Sequence, residues 1–230
     1  MRKHSFLKLP TVDPKTFLLL HMDGGGGSTV FVDSSMYARS ISVGGNAIQS
    51  AAAVKFGPSA LYCDGSGDYL LISGINPGTG AFCFEGWIRV SSIDRPNVFL
   101  SYGGSGNSRG TGFMMATNWN PGATNQYMIY DMGGVAIGSG ALAAGTYRHV
   151  AVVGNGGADG SRNVKLYLDG TQVGSTLTVN YNFTGKNVYI GTNGTALTET
   201  LLGFIEDVRL TVGSQRYTGN FTPPTGPFAM

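Results

Sequence analysis

Apolar and polar residues alternate along short stretches of the chain. In residues 163–168 every second side chain is valine or leucine, namely Val164, Leu166 and Leu168. A period of two is typical of a β-strand with one buried face. The Asp169-Gly170 pair that follows favours a tight hairpin. This region therefore predicts two antiparallel strands joined by a short turn.

Similar stretches recur along the chain, and helical periodicity is nearly absent. Glycine, asparagine, aspartate and serine separate the stretches, as they do at turns. The pattern predicts strands at residues 17–22, 28–32, 53–56, 59–63, 68–72, 81–90, 97–103, 110–117, 126–132, 134–139, 146–154, 163–170, 171–179, 186–192 and 201–212. Short strands at this spacing, with no boundary or repeat among them, predict a single all-β antiparallel sandwich.

Composition and charge narrow the range of partners. The 230 residues are 42% hydrophobic and 12% charged, with a net charge of +2. Such a small charge favours neither a nucleic-acid partner nor a membrane surface. No stretch approaches the roughly 20 apolar residues of a membrane span. The basic start is not followed by an apolar segment, so no ordinary secretory signal is expected.

The two ends differ from the body of the chain. Residues 1–16 are predicted to form an extended arm, and residues 17–230 the sandwich, including a proline-rich tail. Neither end can bury much apolar surface alone, so each is expected to contact the sandwich or a neighbouring subunit. The candidate assembly contacts are Arg2, Lys3, Phe6, Lys8 and Phe228.

The strand predicted at residues 81–90 has one apolar and one mixed face. Phe82, Phe84 and Ile88 share the apolar side, opposite Cys83, Glu85, Trp87 and Arg89. The mixed face is either a solvated surface or the floor of a binding groove. Cys83 and Cys63 lie in separate apolar stretches, where they are either buried free thiols or, if the strands are neighbours, a disulfide.

Two groups of carboxylates are candidates for metal binding. Asp64 and Asp68 enclose a glycine-rich turn, but the residues that follow do not fit a calcium loop, so hydrogen bonding within the turn is expected. Glu206 falls on the apolar side of the strand at 201–212 and needs donors, a proton or a cation. It is either a structural carboxylate at a bulge or a calcium ligand with Asp23 or Asp33.

Catalytic constellations are missing from the sequence. A glycoside hydrolase needs two carboxylates facing each other across the sugar, whereas Glu85 stands alone and Glu206 and Asp207 point to opposite faces. The three histidines are too scattered for a metal triad. We therefore expect no enzymatic activity and no required cofactor.

One loop is a candidate for glycan binding. Trp119 lies among amide side chains beside a Pro-Gly turn, and an exposed tryptophan among amides can stack on a sugar. The candidate residues are Trp119, Asn118, Asn120, Asn125 and Gln126. Packing of this loop on the core is the alternative.

A series of motifs spans the chain from about Phe17 to Phe228. In order they are LLLHMDGGGGSTVFVDSS, KFGPSALYCDGSGDYLLI, FCFEGWIRV, YRHVAVVG, LYLDGTQVGS, YIGTNG and FIEDVRLTVGSQRYTGNFTPPTGPF. The series resembles the laminin-G-like, concanavalin A-like jelly-roll domains of bacteriophage virion proteins. The opening LLLHMDG and the closing RYTGNFTPP are typical of the phage group.

The resemblance implies a concanavalin A-like jelly roll of two antiparallel sheets with an N-terminal arm. It also implies a non-enzymatic virion accessory protein, such as a capsid decoration or tail adhesion module, made in the host cytoplasm. Its expected partners are other virion subunits and copies of itself, with a host-surface glycan as a further candidate. The alternatives are a stand-alone carbohydrate-binding lectin domain and, third, a glycoside hydrolase.

Overall fold

The computed structural model describes residues 13–102, 113–118, 126–130, 136–194 and 199–229. These residues form strands and loops, and no helix among them is long and apolar enough to cross a membrane. The strands are β1 (Thr16–Leu20), β2 (Ile41–Gly44), β3 (Ile48–Ser50), β4 (Ala60–Asp64), β5 (Tyr69–Ile72), β6 (Phe82–Val90), β7 (Asn97–Tyr102), β8 (Phe113–Thr117), β9 (Gln126–Tyr130), β10 (Ala136–Ala141), β11 (Arg148–Gly154), β12 (Asn163–Leu168), β13 (Thr171–Thr178), β14 (Val188–Ile190) and β15 (Leu202–Val212).

The strands form two antiparallel sheets. Sheet A has the order β13-β12-β11-β6-β15-β4-β3, and β1 pairs with the second half of β15. Sheet B has the order β10-β9-β8-β7-β14-β5-β2. The inner faces enclose one large apolar core that includes Phe82, Phe84, Tyr102 and Phe113. The predicted all-β jelly-roll sandwich of two antiparallel sheets is confirmed.

The hairpin between β12 and β13 follows the sequence pattern closely. Leu168 pairs with Thr171, which leaves only Asp169 and Gly170 in the turn. Both have positive φ, at 47° and 76°, as a turn that matches strand twist requires. A Cβ on Gly170 would lie 1.8 Å from the Phe221 carbonyl oxygen. Position 170 therefore needs glycine both for its backbone angle and for a close approach of the tail.

Some strands differ from the pattern. The stretches 28–32 and 53–56 are not strands, although the alternation predicted them, whereas β2 and β3 were not predicted. The extended stretch 28–32 follows the margin of sheet A without a paired ladder, and 53–56 is held by a carboxylate rather than by a neighbouring strand. Alternation marks extended backbone, but pairing depends on what lies beside it. β1 begins at Thr16, the last residue of the predicted arm.

A bulge in β15 changes which residues face the core. The pairing with β6 shifts between Glu206 and Arg209, and Asp207 has φ 55°. Before the bulge Ile205 points into the core, and after it Val208 and Leu210 do. Glu206 therefore lies on the outer face of sheet A. Its predicted place on the apolar side was wrong, because a bulge shifts the alternation by one residue.

Candidate functional site

The outer face of sheet A is covered by the end of the chain. We call residues 213–229 the C-terminal strap. Tyr217 and Phe221 of the strap stack on each other and cover Cys83 and Tyr167, while Phe228 packs on Leu19 and Trp87. The mixed face of β6 is therefore neither a solvated surface nor an open groove. It is a second, smaller packed layer.

Phe228 does not serve as the predicted assembly contact. Its side chain is 4% exposed, and its backbone N–H donates to Asp207 Oδ2 at 2.6 Å. The Arg209 guanidinium lies 4.2 Å from its ring centre, a distance typical of a cation–π contact. The prediction for this residue is corrected because the proline-rich tail finds its apolar partners on its own sandwich.

A charged cluster lies beneath the strap. Glu85, 2% exposed, accepts hydrogen bonds from Arg209 Nε at 2.9 Å and from the Tyr217 hydroxyl at 2.7 Å. His149 Nε2 lies 3.3 Å from Glu85 Oε2, and Arg216 Nε lies 3.8 Å from Oε1. Burial opposes ionisation of Glu85, but its contacts with His149, Arg209 and Tyr217 hold its pKa below the ordinary value. Both oxygens of Glu85 are therefore engaged in holding the strap and its neighbours.

Neither cysteine is placed for chemistry. Cys83 lies under the strap and Cys63 in the main core, and both are free. Burial raises the pKa of both thiols. The two residues thus act as small buried hydrophobes.

Asp207 joins the first strand region to the last residues of the strap. Its Oδ1 lies 2.7 Å from His21 Nδ1, while Oδ2 accepts the Phe228 N–H. The hydrogen bond to Asp207 raises the pKa of His21, against an opposing effect of burial. His21 therefore favours its charged form in the folded protein.

The His21–Asp207 contact predicts a pH dependence of stability. A raised pKa stabilises the fold fully below the unfolded value of about 6.5, and this contribution is lost as pH rises through the folded pKa. We expect the loss of unfolding free energy in His21→Gln to be larger at pH 5.5 than at pH 9. Urea unfolding of both proteins at each pH measures it. An equal loss at the two pH values would contradict the prediction, and Asp94→Asn serves as the control.

Glu206 is held by three backbone donors. Its carboxylate accepts the N–H groups of Lys55, Phe56 and Gly57, the last two at 2.7 Å. The side chain is 1% exposed. This arrangement agrees with the structural alternative, a carboxylate satisfied by backbone donors beside a strand bulge. It fixes residues 55–57 against the outer face of sheet A.

Two of the proposed calcium ligands, Asp33 and Glu206, are hydrogen-bonded to backbone donors. Asp33 accepts the N–H groups of Leu19, Ser35 and Arg39. Asp23 comes near Glu206, since a Cβ on Gly57 would lie 2.4 Å from Asp23 Oδ1 and 3.6 Å from Glu206 Oε1. Both Glu206 oxygens accept backbone N–H groups, and calcium binding by this pair stays a prediction. Within the described ranges no three His, Cys, Asp or Glu side chains are arranged to hold a metal ion.

Asp64 and Asp68 shape the turn between β4 and β5. Asp68 accepts the N–H of Asn46 at 2.7 Å and that of Asp64 at 2.9 Å. Asp64 in turn accepts the N–H of Ser66 at 2.8 Å. The prediction of hydrogen bonding within the turn is confirmed.

The candidate glycan loop is only partly described. Trp119, Asn120 and Asn125 lie outside the described residues. Asn118 donates its backbone N–H to the Gln126 carbonyl at 3.2 Å, and its side-chain amide donates to the Ile93 carbonyl. Asn118 and Gln126 therefore flank the loop, but the Asn118 amide is directed to the protein.

Exposed apolar side chains gather at one margin of sheet A. Val30 and Val32 are each 66% exposed and Met36 is 58% exposed. We call residues 28–34 the valine edge. Tyr37, three residues beyond this segment, donates its hydroxyl to the Pro14 carbonyl at 2.9 Å. The arm residues Arg2, Lys3, Phe6 and Lys8 lie outside the described residues.

Sequence reasoning missed both the strap contacts and the valine edge. The strap residues Tyr217 and Phe221 lay in a tail whose contacts the sequence left open. The stretch 28–32 carried the alternation of a paired strand, and its exposed face could not be distinguished from a buried one. The three adjacent apolar residues Val30, Phe31 and Val32 were the available signal. A strand with apolar residues on both faces buries one face in its own core and leaves the other for a further partner to cover.

Comparison with known proteins agrees with this architecture. Residues 64–212 match the family model of the concanavalin A-like lectin/glucanases superfamily. No curated protein gave a match to the sequence.

Several solved structures have a similar fold. Domain 4 of AbnA, a GH43 extracellular arabinanase from Geobacillus stearothermophilus in complex with arabinotriose, is 16% identical, with a TM-score of 0.60 over 87% of this chain and 94% of that one. A Trypanosoma rangeli sialidase in complex with sialic acid is 17% identical, with a TM-score of 0.63 over 89% of this chain and 32% of that one. The botulinum neurotoxin serotype D binding domain is 15% identical, with a TM-score of 0.55 over 86% of this chain and 48% of that one.

At such low identities the likeness concerns the fold alone. This chain corresponds to nearly the whole of the arabinanase domain but to about half of the toxin structure and a third of the sialidase. The family match spans well over half of the chain, and the two-sheet architecture agrees with it. The chain therefore belongs to the concanavalin A-like lectin/glucanase superfamily.

Proposed function

We propose that this chain is a non-enzymatic contact module of a bacteriophage particle, such as a capsid decoration or tail adhesion protein. One observation carries the proposal: Val30, Val32 and Met36 are strongly exposed within one short segment of the chain. Clustered exposed apolar residues mark interaction surfaces in soluble proteins. The basic and apolar arm would extend that surface to a neighbouring subunit.

The lack of catalysis is part of the proposal. Glu85 lies under the strap and is bonded to Arg209 and Tyr217, and Glu206 is bonded to three backbone N–H groups. A glycosidase needs two carboxyl groups facing an open sugar site, one of them free to give a proton. These two carboxylates instead serve the packing of the outer layer.

The particle context rests on the opening and closing motifs. LLLHMDG and RYTGNFTPP resemble those of phage virion proteins; the first begins within β1, and the second lies in the C-terminal strap. The expected partners are virion subunits, with synthesis in the host cytoplasm. The valine edge and the arm are the surfaces that such partners would contact.

Deletion of residues 2–12 tests this role. We expect the shortened protein to fold, because Asp13 and the residues after it are held by the sandwich, Asp13 Oδ2 lying 2.5 Å from Arg216 Nη2. In particles made from a genome with this deletion, the protein should be depleted at least about tenfold, as expected when the main contact is lost. Mass spectrometry of gradient-purified particles measures it. A variant with Arg2, Lys3 and Lys8 changed to serine shows whether incorporation depends on the charge of the arm or on its apolar residues.

The outcome that contradicts the proposal is full incorporation of the deleted protein, or a wild-type protein that never accompanies particles. Release of reducing sugar from a glycan, lost in Glu85→Gln or Glu206→Gln variants that remain folded, would contradict the non-enzymatic part.

Glycan binding is the second candidate, because the arabinanase domain that this chain resembles over nearly its full length was solved with arabinotriose. Saturable binding on a glycan array that is lost in Trp119→Ala would favour it. Trp87→Phe is the matched control, since Trp87 is 6% exposed and packed beneath Phe228.

A further inference from the structure

The valine edge has the backbone pattern of a strand that lacks a neighbour on one side. Toward sheet A, the Ser28 carbonyl accepts Gln49 N–H at 2.8 Å and the Val30 carbonyl accepts Gln49 Nε2 at 2.5 Å. Ser34 N–H donates to the Leu19 carbonyl at 2.8 Å. The even-numbered residues 28, 30 and 34 therefore attach this segment to β3 and β1.

The odd-numbered residues have no such partners. Within the described part of the chain, the backbone N–H and C=O groups of Thr29, Phe31 and Asp33 make no hydrogen bond, and neither do those of Val32. In a strand, the groups of residues i, i+2 and i+4 point to the same side. Three consecutive odd residues thus leave a row of donors and acceptors on the side away from sheet A. An unpaired backbone group is costly wherever water is excluded, so such a row favours pairing with another strand.

The side chains suit the same partner. Phe31 is anchored in the core at 8% exposure, while Val30 and Val32 are 66% exposed. Valine is among the residues that best fit a pleated surface. An added strand would complete the row of backbone bonds and place apolar residues over the two valines.

The arm supplies a strand of matching character. In Ser5-Phe6-Leu7-Lys8-Leu9, Leu7 and Leu9 fall on one face of an extended chain, opposite Phe6 and Lys8. Pro10 follows and cannot donate to a ladder, which sets the end of the pairing stretch.

The path of the chain favours the arm of a second copy over the chain's own arm. Pro14 lies beside Tyr37 and Leu19 beside Ser34, so the valine edge begins where β1 ends, away from the arm. Leu9 precedes Pro14 by five residues and Leu19 follows it by five. Each of these stretches spans about 17 Å when extended. The chain's own arm would have to reverse at Asp13 and run almost fully extended merely to bring Leu9 level with Ser34. A neighbouring copy has no such constraint.

We infer that residues 29–33 accept residues 5–9 of a second copy of this chain by β-strand addition. The inference rests on the proposed contact function and names the partner of that surface. Exchange of arms between two copies would satisfy both edges at once and give a closed dimer.

The first test is the association state of the full chain. We expect concentration-dependent dimers in sedimentation equilibrium, monomers after deletion of residues 2–12, and association at least about tenfold weaker in Val30→Lys/Val32→Lys. Both valines are exposed, so the double variant should fold, which circular dichroism verifies. The matched control is Val43→Lys/Val54→Lys, which changes two exposed valines at 39% and 43% exposure outside the edge and should leave dimerisation unchanged.

The second test distinguishes exchange from folding back. Chains carrying Leu7→Cys or Leu9→Cys, the positions that would face Val32 in an antiparallel or a parallel pairing, are mixed with chains carrying Val32→Cys and oxidised, while the native cysteines stay buried. A disulfide between the two chains supports the inference. A disulfide within one chain of a dilute Leu9→Cys/Val32→Cys variant, with none in the mixture, would overturn it, as would a full chain that stays monomeric.

The two proposals fail in different ways. If deletion of residues 2–12 removes the protein from particles but Val30→Lys/Val32→Lys does not, the contact function stands and the strand-addition inference is overturned. If the deletion has no effect on particles while the dimer depends on both arm and edge, the inference stands and the particle role is lost.

Discussion

Replacing Glu206 with alanine is expected to lower the free energy of unfolding by about 3 kcal/mol, because three backbone donors lose a charged acceptor and only part of the loss is recovered by water. The donors are the N–H groups of residues 55–57, at 2.7 Å for Phe56 and Gly57. For a chain of this size the loss corresponds to a fall in Tm of about 6–12 °C. Urea and thermal unfolding measure both quantities.

Two further variants make the Glu206 result specific. Glu206→Gln keeps the shape of the side chain and one acceptor oxygen but loses the charge. Its free energy of unfolding should therefore lie between those of the parent protein and Glu206→Ala. Asp94→Ala is the control, since Asp94 is exposed and its carboxylate makes no hydrogen bond among the described residues. If Glu206→Ala is as stable as Asp94→Ala, the three bonds contribute nothing to folding and the account of this site is wrong.

Replacing Glu85 with alanine is expected to cost about 3–5 kcal/mol, because it leaves the Arg209 guanidinium buried without its partner. Arg209 is 8% exposed and lies 2.8 Å from Glu85 through Nη2. The double variant Glu85→Gln/Arg209→Met removes both charges. Its loss of unfolding free energy should therefore be smaller than the sum of the losses in Glu85→Gln alone and Arg209→Met alone. Strictly additive losses would show that the pair has no coupling.

A chemical readout separates loosening of the strap from general unfolding. Tyr217, which donates to Glu85, covers Cys83 together with Phe221. In Glu85→Ala we expect a thiol reagent to modify Cys83 faster than in the parent protein, while Cys63 in the main core stays protected. Equal labelling of both cysteines would mean that the whole sandwich opens, and Cys83→Ser identifies the labelled residue.

Alternation predicted the inner layer well because it reports a local property. A strand with one buried face repeats every two residues, so Phe82, Phe84 and Ile88 could be assigned to the core from the sequence. The Asp169-Gly170 turn and the carboxylates of Asp64 and Asp68 also act on nearby backbone. These features need no knowledge of the rest of the chain.

The outer layer could not be predicted in the same way. Alternation places Glu85 and Trp87 opposite the core but does not reveal that Tyr217, Phe221 and Phe228 cover that face. The bulge at Asp207 shifted the face of Glu206, and a single inserted residue leaves only a weak mark in the pattern. The candidate site on this face therefore changed from a groove to a packed layer.

By itself the sequence determined an all-β sandwich, the hairpin at Asp169-Gly170 and the core-facing side of regular strands such as β6 and β12, because these follow from a two-residue period and from turn chemistry. Only the tertiary structure decided that Glu206 meets donors 151 positions away at Lys55, and that the strap covers the outer face of sheet A. It also left the odd-numbered residues of the valine edge unpaired. The physical reason is that burial and pairing depend on which distant segments the chain path brings together, and local periodicity carries no record of that path.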